Sequence, residues 1–290
     1  MTYNELWRQL AQIYNEGEAK AIARMTYEER FGLTLSDIYL GKDAQLSAAD
    51  QTELQFIAKR LLQGEPIQYV LGQADFCGRT FMVNEHVLIP RPETEELCNW
   101  MPFPLPTPKG EGAKILDIGT GSGCIAITLA AMCPEAQVIG WDISADALKV
   151  AEENARRHNV HVSFEHVDAL HLTSDILHQT SEALSLLVSN PPYICNKERK
   201  AMAVNVLEYE PHTALFVPDD DPLLFYRAIA QYGQTALKAG GWLYFEINPL
   251  YAQEMCDMLR IMSYHDIELK ADQYGKQRMI RAKKGKKVKK

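Results

Sequence analysis

Polar and apolar positions alternate along this chain in three successive regimes. The first is helical. Thr2-Tyr3-Asn4-Glu5 has the spacing of a capping box and predicts a helix running to about Asn15. Ser47-Ala48-Ala49-Asp50 opens a second, in which Leu54, Ile57, Ala58, Leu61 and Leu62 fall on one face and Gly64 and Pro66 end the pattern. The second regime has period two: Phe76, Phe81, Val83, Val87 and Ile89 alternate around Gly78, as in a hairpin. Leu88 to Glu95 then lead into a short helix reaching Trp100, and Pro102, Pro104, Pro106 and Pro108 make a stiff, extended link.

The third regime begins at Ala113. It predicts strands at 114–118, 137–142, 161–167 and 184–189, with helices at 123–132 and 145–157 between them. A helix at 222–238, a strand at 242–247, a helix at 250–262 and strands near 264–271 and 277–282 complete the series. Strands alternating with helices imply an α/β fold with a mostly parallel sheet covered on both faces. The expected organisation is a helical domain at 1–73, a β-hairpin linker at 74–90 and an α/β domain at 91–290, with no internal repeat. The helical front end carries no catalytic-looking cluster, so it reads as a recognition module.

Charge alters this picture at one end only. Residues 281–290, RAKKGKKVKK, hold seven positive charges and are expected to form a flexible tail; the rest of the chain then carries about −15. An acidic body is a poor surface for a nucleic-acid backbone, so contact with nucleic acid is expected from that tail or not at all. The longest uncharged stretch, Ile118 to Pro134, is 17 residues with three glycines, which argues against a membrane span. Five glutamates in the first 30 residues argue against a signal peptide. Six cysteines without a CxxC spacing read as small apolar side chains in a reducing compartment, so a cytoplasmic location is expected. A monomer is also expected. His158, His161, His166, His171 and His178 have no ligand spacing, and no metal is expected.

The candidate chemistry lies at the strand ends. Gly119-Thr120-Gly121-Ser122-Gly123 joins the first strand of the α/β region to its helix, where open sheets of this kind bind nucleotides. Cys124 stands where a dinucleotide fingerprint has its last glycine, and the Lys-Ser/Thr ending of a phosphate loop is absent. Asp142 ends the next strand, placed to accept from ribose hydroxyls, and Asp168 ends the third, placed to meet an adenine amino group. Singly, the two aspartates are equally a helix cap and a turn residue. Together with the loop they point to a nucleoside held without phosphate recognition, and so to S-adenosylmethionine (SAM).

The fourth strand ends in Asn190-Pro191-Pro192-Tyr193. The Asn190 carboxamide and the Pro191 carbonyl are two acceptors, suited to a planar NH2 group with two hydrogens to donate. Engaging both hydrogens localises the nitrogen lone pair for in-line displacement at a methyl group. The ring of Tyr193 is expected to wall the flat group and face the cationic donor. Asn190, Pro191 and Tyr193 are therefore the candidate catalytic residues.

The segments FCGRTFMVNEHVLIPRPETEEL (76–97), ILDIGTGSGCIAITLA (115–130), DISADALKVAEENA (142–155), LLVSNPPYI (186–194), YEPHTALF (209–216), FEIN (245–248) and DQYGKQRMI (272–280) resemble, in order, those of the HemK/PrmC family. These are the glutamine-N5 methyltransferases of class I peptide-chain release factors. The resemblance spans nearly the whole chain, and IPRPETE is its more discriminating part, since Asn-Pro-Pro-Tyr also occurs in adenine-N6 methyltransferases of DNA. It implies a Rossmann-like class I SAM-dependent methyltransferase domain with a seven-stranded sheet behind a helical substrate-recognition domain. It implies transfer of methyl to the glutamine of a Gly-Gly-Gln motif in translation termination, with S-adenosyl-L-homocysteine as product. SAM would lie on Gly119–Gly123, Asp142, Asp168, Ala169 and Asn190, and the glutamine on Asn190, Pro191, Pro192 and Tyr193. Ala169 stands where some relatives have an aromatic residue stacking on adenine. The alternatives are the same chemistry on a ribosomal-protein glutamine, amino methylation of nucleic acid, and a SAM-binding module without activity.

Overall fold

The computed structural model describes residues 1–102, 112–172 and 183–285. Most of the proline-studded link, His178 and the last five residues of the basic tail lie outside the described residues. The chain divides into two units, one of Met1–Gln73 with Met202–Glu210 and one of Ala74–Ala201 with Pro211–Lys290.

The first unit holds α1 (Tyr3–Leu10), α2 (Glu16–Met25), α3 (Leu35–Tyr39), α4 (Ala48–Leu62), α5 (Ile67–Leu71) and a short helix at Val204–Tyr209. The capping box forms: the Glu5 amide donates to the Thr2 hydroxyl, and the Thr2 amide donates to the Glu5 carboxylate. The first helix stops at Leu10, short of Asn15, because Asn15 caps α2 by accepting from the Glu18 amide. Leu6, Leu10, Ala23, Tyr27, Leu54 and Leu61 are fully buried and form this unit's core. The apolar stripe read from α4 supplies Leu54, Ile57, Ala58 and Leu61 to it. The Tyr209 hydroxyl donates to the carbonyl of Gln63, which fastens the returning segment to the end of α4.

β1 (Gln73–Phe76), which but for Gln73 belongs to the second unit, forms a hairpin with β2 (Arg79–Met82), followed by α6 (Pro92–Asn99). Strand pairing stops at Met82, so the alternation read as far as Ile89 continues as a strandless stretch with its apolar residues still buried. Next come β3 (Lys114–Ile118), α7 (Cys124–Met132), β4 (Gln137–Asp142), α8 (Ala145–Arg157), β5 (Ser163–His166) and β6 (Leu184–Ser189). β7 (Ile194–Cys195) pairs with β8 (Phe216–Val217), and β9 (Leu237–Glu246), β10 (Tyr264–Ala271) and β11 (Gln277–Lys284) follow. The seven-stranded sheet has the order β10-β11-β9-β6-β3-β4-β5 and is parallel from β9 to β5. β11 runs antiparallel to both its neighbours.

Two differences from the sequence pattern have local causes. β9 begins at Leu237 rather than 242, with a register shift around Gly240-Gly241 that the glycine pair disguises as a turn. Arg281 to Lys284 belong to β11, where Arg281 to Lys283 pair with Trp242 to Tyr244, so the first part of the basic tail is strand. The side chain of Asn154 in α8 is wholly buried and exchanges hydrogen bonds with the backbone of Met82 while donating to the Ser122 carbonyl, tying hairpin, helix and glycine loop together.

Candidate active site

The chain order along the sheet reverses at β3: β4 and β5 lie on one side of it and β6 on the other. A crevice at the carboxyl end of such a switch point follows from topology alone. The loop after β3 turns through Gly119, Gly121 and Gly123, all at positive φ, and its Gly119 and Thr120 amides donate to the Trp141 carbonyl at the end of β4. A Cβ on Gly123 would lie 2.9 Å from Ile127 and 3.1 Å from Ala151, so the third glycine lets α7 and α8 close behind the loop. A Cβ on Gly121 would meet nothing within 4 Å, because that glycine borders open space.

That space is a cavity of about 380 Å³. Gly119, Thr120, Gly121, Ser122, Asp142, Asp168, Ala169, Asn190, Pro191 and Pro192 all line it. Two of the residues named from the sequence do not. Gly123 lies behind the loop, and Tyr193 turns its hydroxyl inward to donate to Glu246 Oε1 at 2.8 Å.

Both aspartates organise backbone as well as facing the cavity. Asp142 Oδ2 accepts from the Gly121 amide at 2.8 Å and Oδ1 from the Ser144 amide at 2.9 Å. Burial raises its pKa, and those two amides oppose the rise. Asp168 Oδ1 accepts from the Leu170 amide at 2.8 Å, and its Oδ2 lies 2.7 Å from His171 Nδ1. Partial burial pushes the Asp168 carboxyl up, but the His171 ring and the Leu170 amide hold it below its ordinary value. Ala169 brings no ring, and Ile143, Phe225 and Ile229 supply apolar wall to the same cavity.

Asn190 sits where β6 ends. Ser189 is the last paired residue, opposite Ile118 on β3 and Phe245 on β9, and its hydroxyl donates to the Ile118 carbonyl at 2.6 Å. Pro191 has no N–H with which to continue a ladder. The Asn190 Nδ2 donates to Thr94 Oγ1 at 3.1 Å, and the Thr94 hydroxyl donates to Glu246 Oε2 at 2.5 Å. Glu246 is 1% exposed; burial raises its pKa, opposed by the Thr94 and Tyr193 hydroxyls and the charge of Arg278. At the far end of the tetrapeptide, Asn248 Nδ2 donates to the Tyr193 carbonyl and to Glu198. Thr94 and Glu246 fall inside IPRPETE and FEIN, but no spacing in the sequence pairs them.

Of the histidines, His158 packs on Phe81 and lies 3.0 Å from the Thr80 carbonyl, and His166 lies 2.6 Å from the carbonyl of Ile143. Among the described residues there is no cluster of three His, Cys, Asp or Glu side chains that could hold a metal, and no helix long and apolar enough to cross a membrane.

This fold and crevice define the class of SAM-dependent methyltransferases. Residues 109–211 match a family described as a methyltransferase domain, and residues 3–72 match the PrmC N-terminal domain. Among solved structures, the METTL16 methyltransferase domain superposes with a TM-score of 0.53 at 19% identity, over 70% of this chain and 87% of that one. Similarity at the sequence level goes further. A release factor glutamine methyltransferase of Bacteroides thetaiotaomicron is 45% identical over 94% of this chain and 95% of its own. One of Flavobacterium psychrophilum is 42% identical over 94% of both chains, and one of Streptococcus pneumoniae 35% identical over 93% of both. The chain belongs to the release factor glutamine methyltransferase family.

The expectation that Asp142 takes part in binding SAM has a direct test. In Asp142→Asn one of the two backbone donors, Gly121 or Ser144, meets an NH2 group in place of an oxygen. Losing one such bond in a buried site costs roughly 1–3 kcal/mol. The thermal unfolding midpoint is expected to fall for that reason, and the affinity for SAM, measured by titration calorimetry on the folded variant, to fall about tenfold or more as the loop that Asp142 holds loses its anchor. An unchanged Kd would remove Asp142 from the binding site.

Proposed function

We propose that this protein transfers a methyl group from SAM to the side-chain amide nitrogen of a glutamine in a peptide-chain release factor, the Gly-Gly-Gln glutamine of the class I factors. One observation carries the chemistry: the acceptor-rich Asn190-Pro191 turn lines the same cavity as the glycine loop, Asp142 and Asp168. The space beside Gly121 and the two carboxylates suit a nucleoside, and a cavity of about 380 Å³ is within the range that holds a ligand of that size. SAM, when bound, supplies an electrophilic methyl on a sulfonium.

The chain's own residues do the positioning. The Asn190 side-chain oxygen and the Pro191 carbonyl accept the two amide hydrogens of the substrate glutamine and draw its nitrogen lone pair toward the donor. Their contribution is catalytic to the extent that these bonds strengthen as the nitrogen becomes positive. No base is needed before transfer, because the product sheds its proton afterwards. Tyr193 acts from behind the turn through Glu246. The first unit serves to recognise the protein substrate, the reaction leaves S-adenosyl-L-homocysteine, and no metal takes part.

The test is incubation of the purified protein with isotopically labelled SAM and, separately, release factor, ribosomal proteins and DNA, with mass location of the methyl group. The expected result is one methyl on a glutamine side chain of the release factor. Label confined to a ribosomal protein or to an adenine amino group would overturn the reading.

A further inference from the structure

Asn190 can serve as an acceptor only if its carboxamide shows the cavity its oxygen and not its NH2. The two ends of an amide are nearly the same size, so packing alone does not choose between them. Hydrogen bonding does. Glu246, when ionised, has only acceptors to offer, and both the Thr94 and the Tyr193 hydroxyls point their hydrogens at it. With its single hydrogen committed, Thr94 Oγ1 presents a lone pair to Asn190, and the NH2 group must face it. The Asn190 oxygen is thereby left on the other side.

This arrangement is assembled from three distant parts of the chain. Phe245 lies opposite Ser189 in the sheet register, so Glu246 lies next to the point where β6 ends. Trp242 and Tyr244 pack with Leu97 and Cys98 of α6, and strand alternation turns Glu246 to that same face. Thr94, in the first turn of α6, is 3% exposed and borders the cavity.

We propose that Thr94 is a positioning residue, held in one hydrogen-bond polarity by Glu246, that fixes which end of the Asn190 amide meets the substrate. The inference rests on the methyl-transfer reading above. It gives the Thr94 hydroxyl a role separate from its methyl group, and two substitutions separate them. Thr94→Val keeps the shape and removes the hydroxyl; Thr94→Ser keeps the hydroxyl and removes the methyl.

All variants are assayed as full chains on release factor, beside Asn190→Ala, with SAM affinity measured by calorimetry and folding by thermal unfolding. Thr94→Val is expected to lose about tenfold or more in kcat/KM for the protein substrate, with its SAM Kd within about twofold of wild type. Thr94→Ser is expected to stay within about threefold on both counts. If Thr94→Val fails to fold, Thr94→Ala removes the same hydroxyl from a smaller side chain and carries the same expectation. Wild-type kinetics in Thr94→Val, beside an inactive Asn190→Ala, would overturn the positioning role and leave the methyl-transfer reading standing. Equal losses in Thr94→Val and Thr94→Ser would also overturn it, since packing alone would then explain both. A fully active Asn190→Ala would instead overturn the reading of the tetrapeptide, and this inference with it.

Discussion

Asn190→Ala is expected to methylate at least about 100-fold more slowly than the wild type while binding SAM within about threefold of it. The asymmetry follows from where Asn190 stands. The glycine loop, Asp142 and Asp168 hold the ends of β3, β4 and β5 without it, through backbone bonds such as those of Gly121 and Ser144 to Asp142. On the proposed reading, Asn190 offers its side-chain oxygen at the end of β6 to the substrate nitrogen, which becomes positive as the reaction proceeds. An acceptor that is already oriented costs no reorganisation at that moment, which is why a truncation here is expected to act on kcat. Single-turnover rates and calorimetric Kd values on the same preparation make the measurement. A large loss of SAM affinity with an unchanged single-turnover rate would show that Asn190 is a binding residue for the donor instead.

The second large effect concerns stability. Asp117 lies under the glycine loop, fully buried, with Oδ2 accepting from the Thr120 hydroxyl at 2.7 Å and Oδ1 without a hydrogen-bond partner. Burial pushes its pKa up to about 7 from an ordinary 3.8; the Thr120 hydroxyl opposes the shift, and the charge of Asp142 adds to it. In the unfolded chain the group ionises near its ordinary value, so between about pH 4 and pH 7 the unfolded state has lost a proton that the folded state keeps.

Stability from this group is thus fully present below pH 4 and declines as pH rises through 7, by roughly 4 kcal/mol in all. Roughly 3 kcal/mol of that decline falls between pH 5 and pH 8. Asp117→Asn does not titrate. The unfolding free energy of the variant relative to the wild type is therefore expected to improve by about that amount from pH 5 to pH 8. Denaturant unfolding followed through the tryptophans of the second unit reads this directly. A pH-independent difference would mean that Asp117 is charged throughout or is relieved by rearrangement.

Several of these features are legible in the chain because each occupies one contiguous segment. The glycine loop, Asp142, Asp168 and Asn190 follow strand ends, and strand ends are marked by where an apolar run stops. The class of the fold follows from the alternation of strand and helix. Thr94 and Glu246 are different: their meeting depends on α6 lying across β9 and on the register of β9 against β6. That register begins at Leu237, within a stretch that Gly240 and Gly241 make look like a turn. Tyr193 shows the converse. Its place in the motif suggests a wall for the substrate, and its hydroxyl goes to the buried carboxylate at 246, a partner 53 residues away that no local pattern reveals.

The path of the chain carries one more consequence. After Ala201 it leaves the second unit, contributes 202–210 to the first, and returns at Pro211. The stretches on either side, Ser189 to Pro192 and Pro211 to Phe216, both supply walls of the cavity. Residues 202–210 thus lie, along the chain, between two cavity-lining stretches. If a protein bound to residues 202–210 restrains them, the entropy that the stretches on either side lose on becoming ordered is lower. Amide exchange at 194–201 and 212–216, beyond the Asn190-to-Tyr193 turn on which the glutamine is proposed to sit, is expected to slow when release factor is bound, as read by hydrogen–deuterium exchange.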